Sequence, residues 1–582
     1  MNYFHAKRLA MGLAGVLLVA ACGDDTTAPP AALGVPVNVE ARALSRTALQ
    51  VTWASVAGAQ SYEVEIAEGT SGGTFANIGT STTTSFDAQG LTTGSQYRFR
   101  VVAVDGTRRS SPSNPSAAVV VPDEIFSVVT ADITSNRRFH ADTTYVLSGF
   151  IKVANGATLT IDPGTRIVGD FQVPGSSLFI LRGGRIMAEG TAAQPIVFTS
   201  EREPGQRQPG DWGGLIIIGN GVISRTGPTQ IEGTGTPAGA NPAQFYNGGT
   251  DNNDNSGVLR YVRIEFAGYP TAPNEELNSL TMAAVGAATR IEYVQVLQGL
   301  DDSFEWFGGA VNSKYLVSYE ASDDHFDMSE GYIGRNQFVI AFQSIRPEPR
   351  PGLAGGVASD PQMVENDGCW AENCSAGDAN RSASQPYTVP VLANFTLVGA
   401  PAGAWETTGG NYGMMLRRGV GGLYVNGVVT RTSRDAISLR GAQTFSRHDE
   451  GNMRIRNLYV SQTAGVFQTP TTASSNPESH QFALDLAANQ IEAGSVNAVD
   501  LFTGVPASTL SATAASFNWQ PASGSPIATG GLTDFSVLPQ QLQNATTANT
   551  HPNSEIVPTA YRGAAAPGGP QWWAGWTNYA RN

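Results

Sequence analysis

Residues 300–309 read LDDSFEWFGG and residues 322–331 read SDDHFDMSEG. Each phrase holds two adjacent aspartates followed, after one residue, by a phenylalanine and a carboxylate, with corresponding residues 22 positions apart. Asp301, Glu305, Asp323, His325 and Asp327 are residue types that carry general acid and base work. Carboxyl pairs roughly 5–5.5 Å apart suit a retaining glycosidase and wider pairs an inverting one. A polysaccharide lyase would want Ca2+ together with a basic group, for which Arg335 and His325 are nearest in sequence. Asp301, Asp302, Asp323, Asp324 and Asp327 are also the hard oxygen ligands that Ca2+ takes. A third reading needs no ligand, because aspartates at turns bond backbone amides and can form a polar ladder.

Other chemistry-bearing stretches carry less. Asp251, Asn253 and Asn255 in DNNDNSG put oxygens at alternate positions, as Ca2+ loops do, without the glycine and distant glutamate of an EF-hand. The alternative is an asparagine-rich turn. Trp212 in GDWGG and Trp306 in FEWFGG could stack on sugars, although Trp306 shares the parity of Phe304 and reads as core. The 6 histidines are scattered, and no nucleophile elbow, zinc or phosphate-loop motif stands in a suitable context.

What positions these residues is a repeat. From about residue 123, short apolar strands alternate with glycine turns: GATLTIDPGTRIVGD, SLFILRGGRIMAEG, GVLRYVRIEFAG, SKYLVSYEASDDHFDMSEG, LYVNGVVTRTSRDAISLRG. Such a unit cannot bury its own apolar face, but stacked copies can. The expected fold is all-β, with a right-handed parallel β-helix over residues 123–582. A 22-residue coil sets Phe304 directly over Phe326 inside the wall, with Leu280 and Ile437 in the same file. Alternation along the strand then sends His325 and Asp327 outward, joined by Asp323, and likewise Asp301, Ser303 and Glu305 one coil earlier.

Two segments interrupt the repeat. Residues 346–388 are rich in Pro, Gly and Ser and read as a long loop leaving the coils. Residues 475–495 show a helical pattern of Phe482, Leu484, Leu486 and Ile491, started by Asn476-Pro477. Near the end, Trp572, Trp573 and Trp576 offer rings to a glycan, but read rather as a cap over the open end of the solenoid.

The N-terminus reads as an address. A short basic start precedes the apolar LAMGLAGVLLVAA, which runs into VAAC. Cysteine placed there resembles the lipobox of bacterial lipoproteins, which implies cleavage of residues 1–21 and lipidation of Cys22. Residues 22–33 follow as a flexible tether. Cys369 and Cys374 remain, and in an oxidising compartment they are expected to pair.

Residues 34–121 hold short alternating strands, with Trp53 in VTW, SYEVEI, and Leu91 six residues before Tyr97. They resemble a fibronectin type III domain, a β-sandwich that serves as a binding module or a spacer. GDWGGLIIIGNG, DNNDNSGVLRYVRIEFAG, LDDSFEWFGG, SDDHFD and WWAGWTNY resemble a family of large bacterial surface or secreted lipoproteins with a β-helical body. That resemblance implies an envelope location and supplies no catalytic residues.

A net charge of −14 argues against a nucleic-acid partner. The expectation is a lipid-anchored protein of the bacterial envelope, at the outer membrane or cell surface and touching the membrane through its anchor only. Its role would be non-enzymatic binding, adhesion or surface architecture toward glycans, a surface protein or another polymer, with calcium as a possible ion. The alternative is a polysaccharide-degrading lyase or hydrolase using the acidic coils.

Overall fold

Strands such as Leu280–Ala283, Phe304–Phe307 and Phe326–Ser329 have four residues each, too few to stand alone. They gain stability by stacking in parallel, residue on equivalent residue. In this computed structural model the described residues are 32–580, apart from 46, 237–241, 406, 408, 473–476, 507, 508 and 510. The signal segment, Cys22, most of the tether and Asn476 lie outside them. Two units form, Met1–Asp123 and Glu124–Asn582.

In the first unit, strands Glu40–Ser45, Ala48–Thr52 and Ser85–Ala88 make one antiparallel sheet. Ala76–Ser81, Ser61–Glu68, Gln96–Asp105 and Arg108–Arg109 make the other. Val51, Trp53, Val64, Phe99 and Val101 fill the space between them. Trp53 meets Tyr62 edge to face at 5.3 Å. The Tyr97 hydroxyl accepts a hydrogen bond from the Thr92 amide at 3.2 Å, fixing the corner that leads into Gln96–Asp105. This is the fibronectin type III sandwich.

The second unit is a parallel β-helix with one wall of 17 strands and another of 10. The lumen is filled by files of like residues. Leu280 pairs with Phe304 and Phe304 with Phe326, whose rings stack at 5.3 Å and 19°. Ile437 continues the file through the rungs of Glu365–Asp367 and Met414–Arg417. Trp306 sits two residues from Phe304 and is fully buried beside Phe326 and Tyr332.

The 17-stranded wall is bent. Tyr261, Tyr293, Tyr315, Phe338, Asn394, Asn426 and Asn457 occupy one register position in successive coils, and all have φ between 49° and 62°. Left-handed backbone costs a residue with a Cβ roughly 1–2 kcal/mol. Asparagine tolerates it, whereas the aromatic residues recover energy by stacking at 4.4, 4.4 and 5.2 Å. Each bend resets the inward and outward alternation within its strand. Leu259 and Val262, three apart, therefore both face the lumen.

Three expectations about the periphery change. The segment 346–388 leaves the coils only in part, because Glu365–Asp367 returns as a full rung between Phe326–Ser329 and Met414–Arg417. Residues 475–495 contain no α-helix among those described, and Phe482, Leu484, Leu486 and Ile491 pack on the last rungs of the lumen. Burial against the end of the file outweighs the local helical period. The tryptophans lie elsewhere: Trp573 and Trp576 are buried against the outside of the 17-stranded wall with Phe266, Tyr319 and Phe342. The tail thus covers the side of the middle coils, and residues 482–491 close the end.

Candidate functional site

The 10-stranded wall turns one file outward, Thr281, Glu305, Asp327 and Glu365 on consecutive rungs. The turns entering these rungs bring Asp301 with Asp302, Asp323 with Asp324, and Asp360 to the same place. Glu232 completes the rim from the loop after Leu215–Ile218. Nine carboxyl groups surround one cleft of about 170 Å3.

Part of this cluster is a turn-capping ladder. The Asp302 amide donates to Asn278 Oδ1 at 3.2 Å, and the Asp324 amide donates to Asp302 Oδ1 at 2.9 Å. The Gln362 amide donates to Asp324 Oδ1. Asn278 Nδ2 donates to Glu305. Asp327 Oδ1 is buried without a hydrogen-bond partner. Oxygens of Asp301, Asp302 and Asp323 lie within 4.8 Å of one another, as do those of Asp302, Asp324 and Asp327. Asp302 belongs to both sets.

Burial first, and mutual repulsion second, hold the carboxyls of Asp301, Asp302, Glu305, Asp323, Asp324 and Asp327 well above the ordinary range. Burial lifts Glu365 to about 7, with Asp367 pushing the same way and Arg417 opposing. Arg417 pairs with Glu365 and, at 2.9 Å, with Asp367, which also pairs with Arg418. These two guanidinium groups compensate one flank. The aspartates of the two repeated phrases have no cation in an ion pair among the described residues.

His325 does not join the cleft. The turn rotates the backbone so that its imidazole is 2% exposed and Nδ1 lies 2.6 Å from the Ser318 hydroxyl on the opposite wall. Ser318 also bonds Ser303 at 2.7 Å, so Ser303 turns inward too. Burial drives His325 down to about 3, leaving it neutral. Arg335 is likewise elsewhere, donating to the Ser554 carbonyl at 2.5 Å. Simple alternation placed His325 and Ser303 outside. It does not account for rotation through the turns.

The other stretches fall in different places. The Asp251 carboxylate accepts from the Asn253 amide at 2.9 Å and the Asn255 side chain from the Gly257 amide at 2.8 Å. They act as turn caps well apart in sequence from the cleft. Trp212 is buried, with Nε1 donating to the Glu265 carbonyl at 2.8 Å, so neither it nor Trp306 offers a face to a sugar. Cys369 and Cys374 form a disulfide. Glu232, Asp360, Glu365, Asp367 and Arg417 were not foreseen in the sequence. The only signal was VEND at 364–367, an acidic phrase at a rung position that the intervening loop disguises.

A parallel β-helix bearing a cleft of acidic residues on one wall is the class of architecture that the fold and the site define. Residues 131–504 match the family described as pectate-lyase-like beta helix domain, and the chain belongs to it. Residues 34–119 match the fibronectin type III domain. Among solved structures, the chain is 30% identical to an Fn3-like protein from Clostridium thermocellum, over 15% of this chain and 91% of that one, with a TM-score of 0.14. For the FN5 domain of Drosophila Lar the values are 23%, 15%, 96% and 0.14. For titin kinase and its flanking domains they are 27%, 15%, 16% and 0.14, so the match spans a small part of that chain. No curated protein matches this chain.

Proposed function

We propose that this is a non-enzymatic protein of the bacterial envelope, held by lipid at Cys22, whose β-helix binds a glycan or another surface polymer at the acidic cleft. Ca2+ is the ion that reconciles the carboxylates with one another. The observation carrying this reading is the pair of aspartate triads sharing Asp302, with oxygens within 4.8 Å and no ion-pairing cation of their own among the described residues. Oxygen ligands from adjacent turns suit a hard divalent ion, and an ion held there can bridge to hydroxyl or carboxylate oxygens of a polymer. The two basic groups nearest in sequence, His325 and Arg335, bond elsewhere, and the cleft's own Arg417 is paired with Glu365 and Asp367, which supports binding over lyase chemistry.

The enzymatic reading keeps one supporting observation. Glu305 and Asp327 are held well above their ordinary range by burial and neighbouring carboxylates, the direction in which a general acid is shifted. One experiment separates the two. The parent protein and the Asp323→Asn, Asp324→Asn double variant are incubated with a panel of acidic and neutral polysaccharides, with Ca2+ and with chelator. Retention and new chain ends are both measured. Ca2+-dependent retention without new ends, lost in the double variant, is expected. Cleavage that disappears in the double variant would replace the binding reading with the enzymatic one.

A further inference from the structure

A second pocket, of about 370 Å3, lies between the bent 17-stranded wall and the C-terminal tail. One side of it is the ladder of Tyr261, Tyr293, Tyr315 and Phe338, and the tail adds Tyr561 and Trp572. Among the described residues, none that lines it is charged. The tyrosines and Trp572 are half-buried, so each keeps part of its surface open.

The ladder stops at Tyr261. Tyr293 stacks on Tyr261 at 4.4 Å and 13°, and Tyr315 on Tyr293 at 4.4 Å and 12°. In the coil before Tyr261, Glu189 pairs with Arg260 and Ile196 with Val262. The six residues 190–195, GTAAQP, therefore stand opposite Tyr261 alone and turn outward. Thr191 and Gln194 close that turn by exchanging backbone hydrogen bonds at 3.1 Å. Its exposed tip, Ala192, lines the pocket and brings only a methyl group to a rung where the next three coils bring a ring.

The other neighbours of Tyr261 leave its outer face open. Trp576 meets the ring edge to face at 84°. The Arg260 guanidinium is 4.7 Å from the Tyr261 centroid and 5.5 Å from that of Tyr293, which puts it beside the pair and not on its end. The Tyr261 and Tyr561 hydroxyls have no hydrogen-bond partner among the described residues. Burial first, and the neighbouring Tyr315 second, push Tyr561 up to about 12, so its phenol keeps a proton to donate.

We infer that this pocket binds a neutral aromatic ring carrying a hydroxyl or ether oxygen, stacked on the outer face of Tyr261 as one further rung of the ladder. Aromatic rings gain by offset parallel stacking, and the two phenols supply the few polar contacts that fix a ligand in an apolar pocket. A charged ligand would meet no opposite charge in the lining. A sugar, with hydroxyls all around its ring, would leave several of them against carbon. The site is on a different wall from the acidic cleft and does not rest on the polymer-binding reading.

Calorimetric titration of the full chain with naphthol, with its fully saturated counterpart and with a neutral disaccharide tests this. Naphthol is expected to bind saturably and the other two not. Ala192→Trp supplies the missing ring from the chain itself and should abolish binding; Ala192 is exposed, so the variant should melt close to the parent. Tyr261→Asn removes the stacking face while keeping a residue that tolerates the left-handed backbone, as Asn394 and Asn426 do in later coils. It should weaken naphthol binding about three- to tenfold. No saturable binding of naphthol by the parent, or unchanged binding by Ala192→Trp, would overturn the site. Binding of the saturated counterpart or the disaccharide as tightly as naphthol would overturn the aromatic assignment.

Discussion

If the acidic cleft holds Ca2+ as proposed, chelation should change both the melting temperature of the protein and the sign of its response to pH. In the metal-free protein the cleft carboxyls have raised pKa values, so the native state holds protons that the unfolded chain has lost. Stability therefore falls as pH rises through the native values. Between about pH 6.5 and about pH 8, Glu365, lifted from 4.5 to about 7, contributes a loss of roughly 1 kcal/mol. Every other raised carboxyl of the cleft adds in the same direction. An ion bound only by the native state, at a thousandfold excess over its dissociation constant, stabilises by about 4 kcal/mol. Unfolding entropy is about 2.1 cal/mol/K per residue, or about 1 kcal/mol/K for a unit the size of Glu124–Asn582. Each ion should thus raise Tm by about 4 °C near pH 8, with a smaller gain near pH 6.5 because protons compete for the same oxygens. The assay is calorimetric melting in millimolar Ca2+ and in chelator at both pH values, repeated on the Asp323→Asn, Asp324→Asn variant. A Tm indifferent to Ca2+ near pH 8 would remove the ion. A metal-free protein melting higher near pH 8 than near pH 6.5 would refute the account of buried, protonated carboxyls.

Two further outcomes test the frame around the cleft. Phe326→Ala deletes a ring stacked at 5.3 Å on Phe304 in the lumen and should destabilise the β-helix by about 3–5 kcal/mol in denaturant titration; a loss under about 1 kcal/mol would mean that the file is not close-packed. The His325 imidazole should stay neutral until about pH 3 when followed by nitrogen-edited NMR, whereas an ordinary midpoint near 6.5 would show that it is solvated.

The inward file was legible because Phe304 and Phe326 sit 22 residues apart and a parallel rung repeats identity at a fixed offset. The fibronectin-type unit was legible for a similar reason, since Trp53 and Tyr97 mark fixed points of a sandwich core. Orientation near the corners was not. His325 and Asp327 are two apart, yet one lies in the lumen and the other in the cleft, because backbone rotation in a turn overrides alternation. Glu365 escaped notice because 38 residues, rather than 22, separate it from Asp327, its partner on the previous rung. The tryptophans at 572–576 were recognised as covering something, but a sequence does not say which of two apolar surfaces, end or flank, a tail will reach.

The tail's placement also bears on how the molecule comes apart. A solenoid held only by contacts between adjacent coils can unravel from either end, one turn at a time. Here Asn578 exchanges two hydrogen bonds with Gln295, and Val557 two with Gln337, at 2.6–3.0 Å. Asn394 and Asn426 both reach Thr559. These crosslinks run lengthwise over several windings, like a splint, so the windings must loosen together. They are made by residues that follow these coils in the chain, so the stack can be assembled before it is locked.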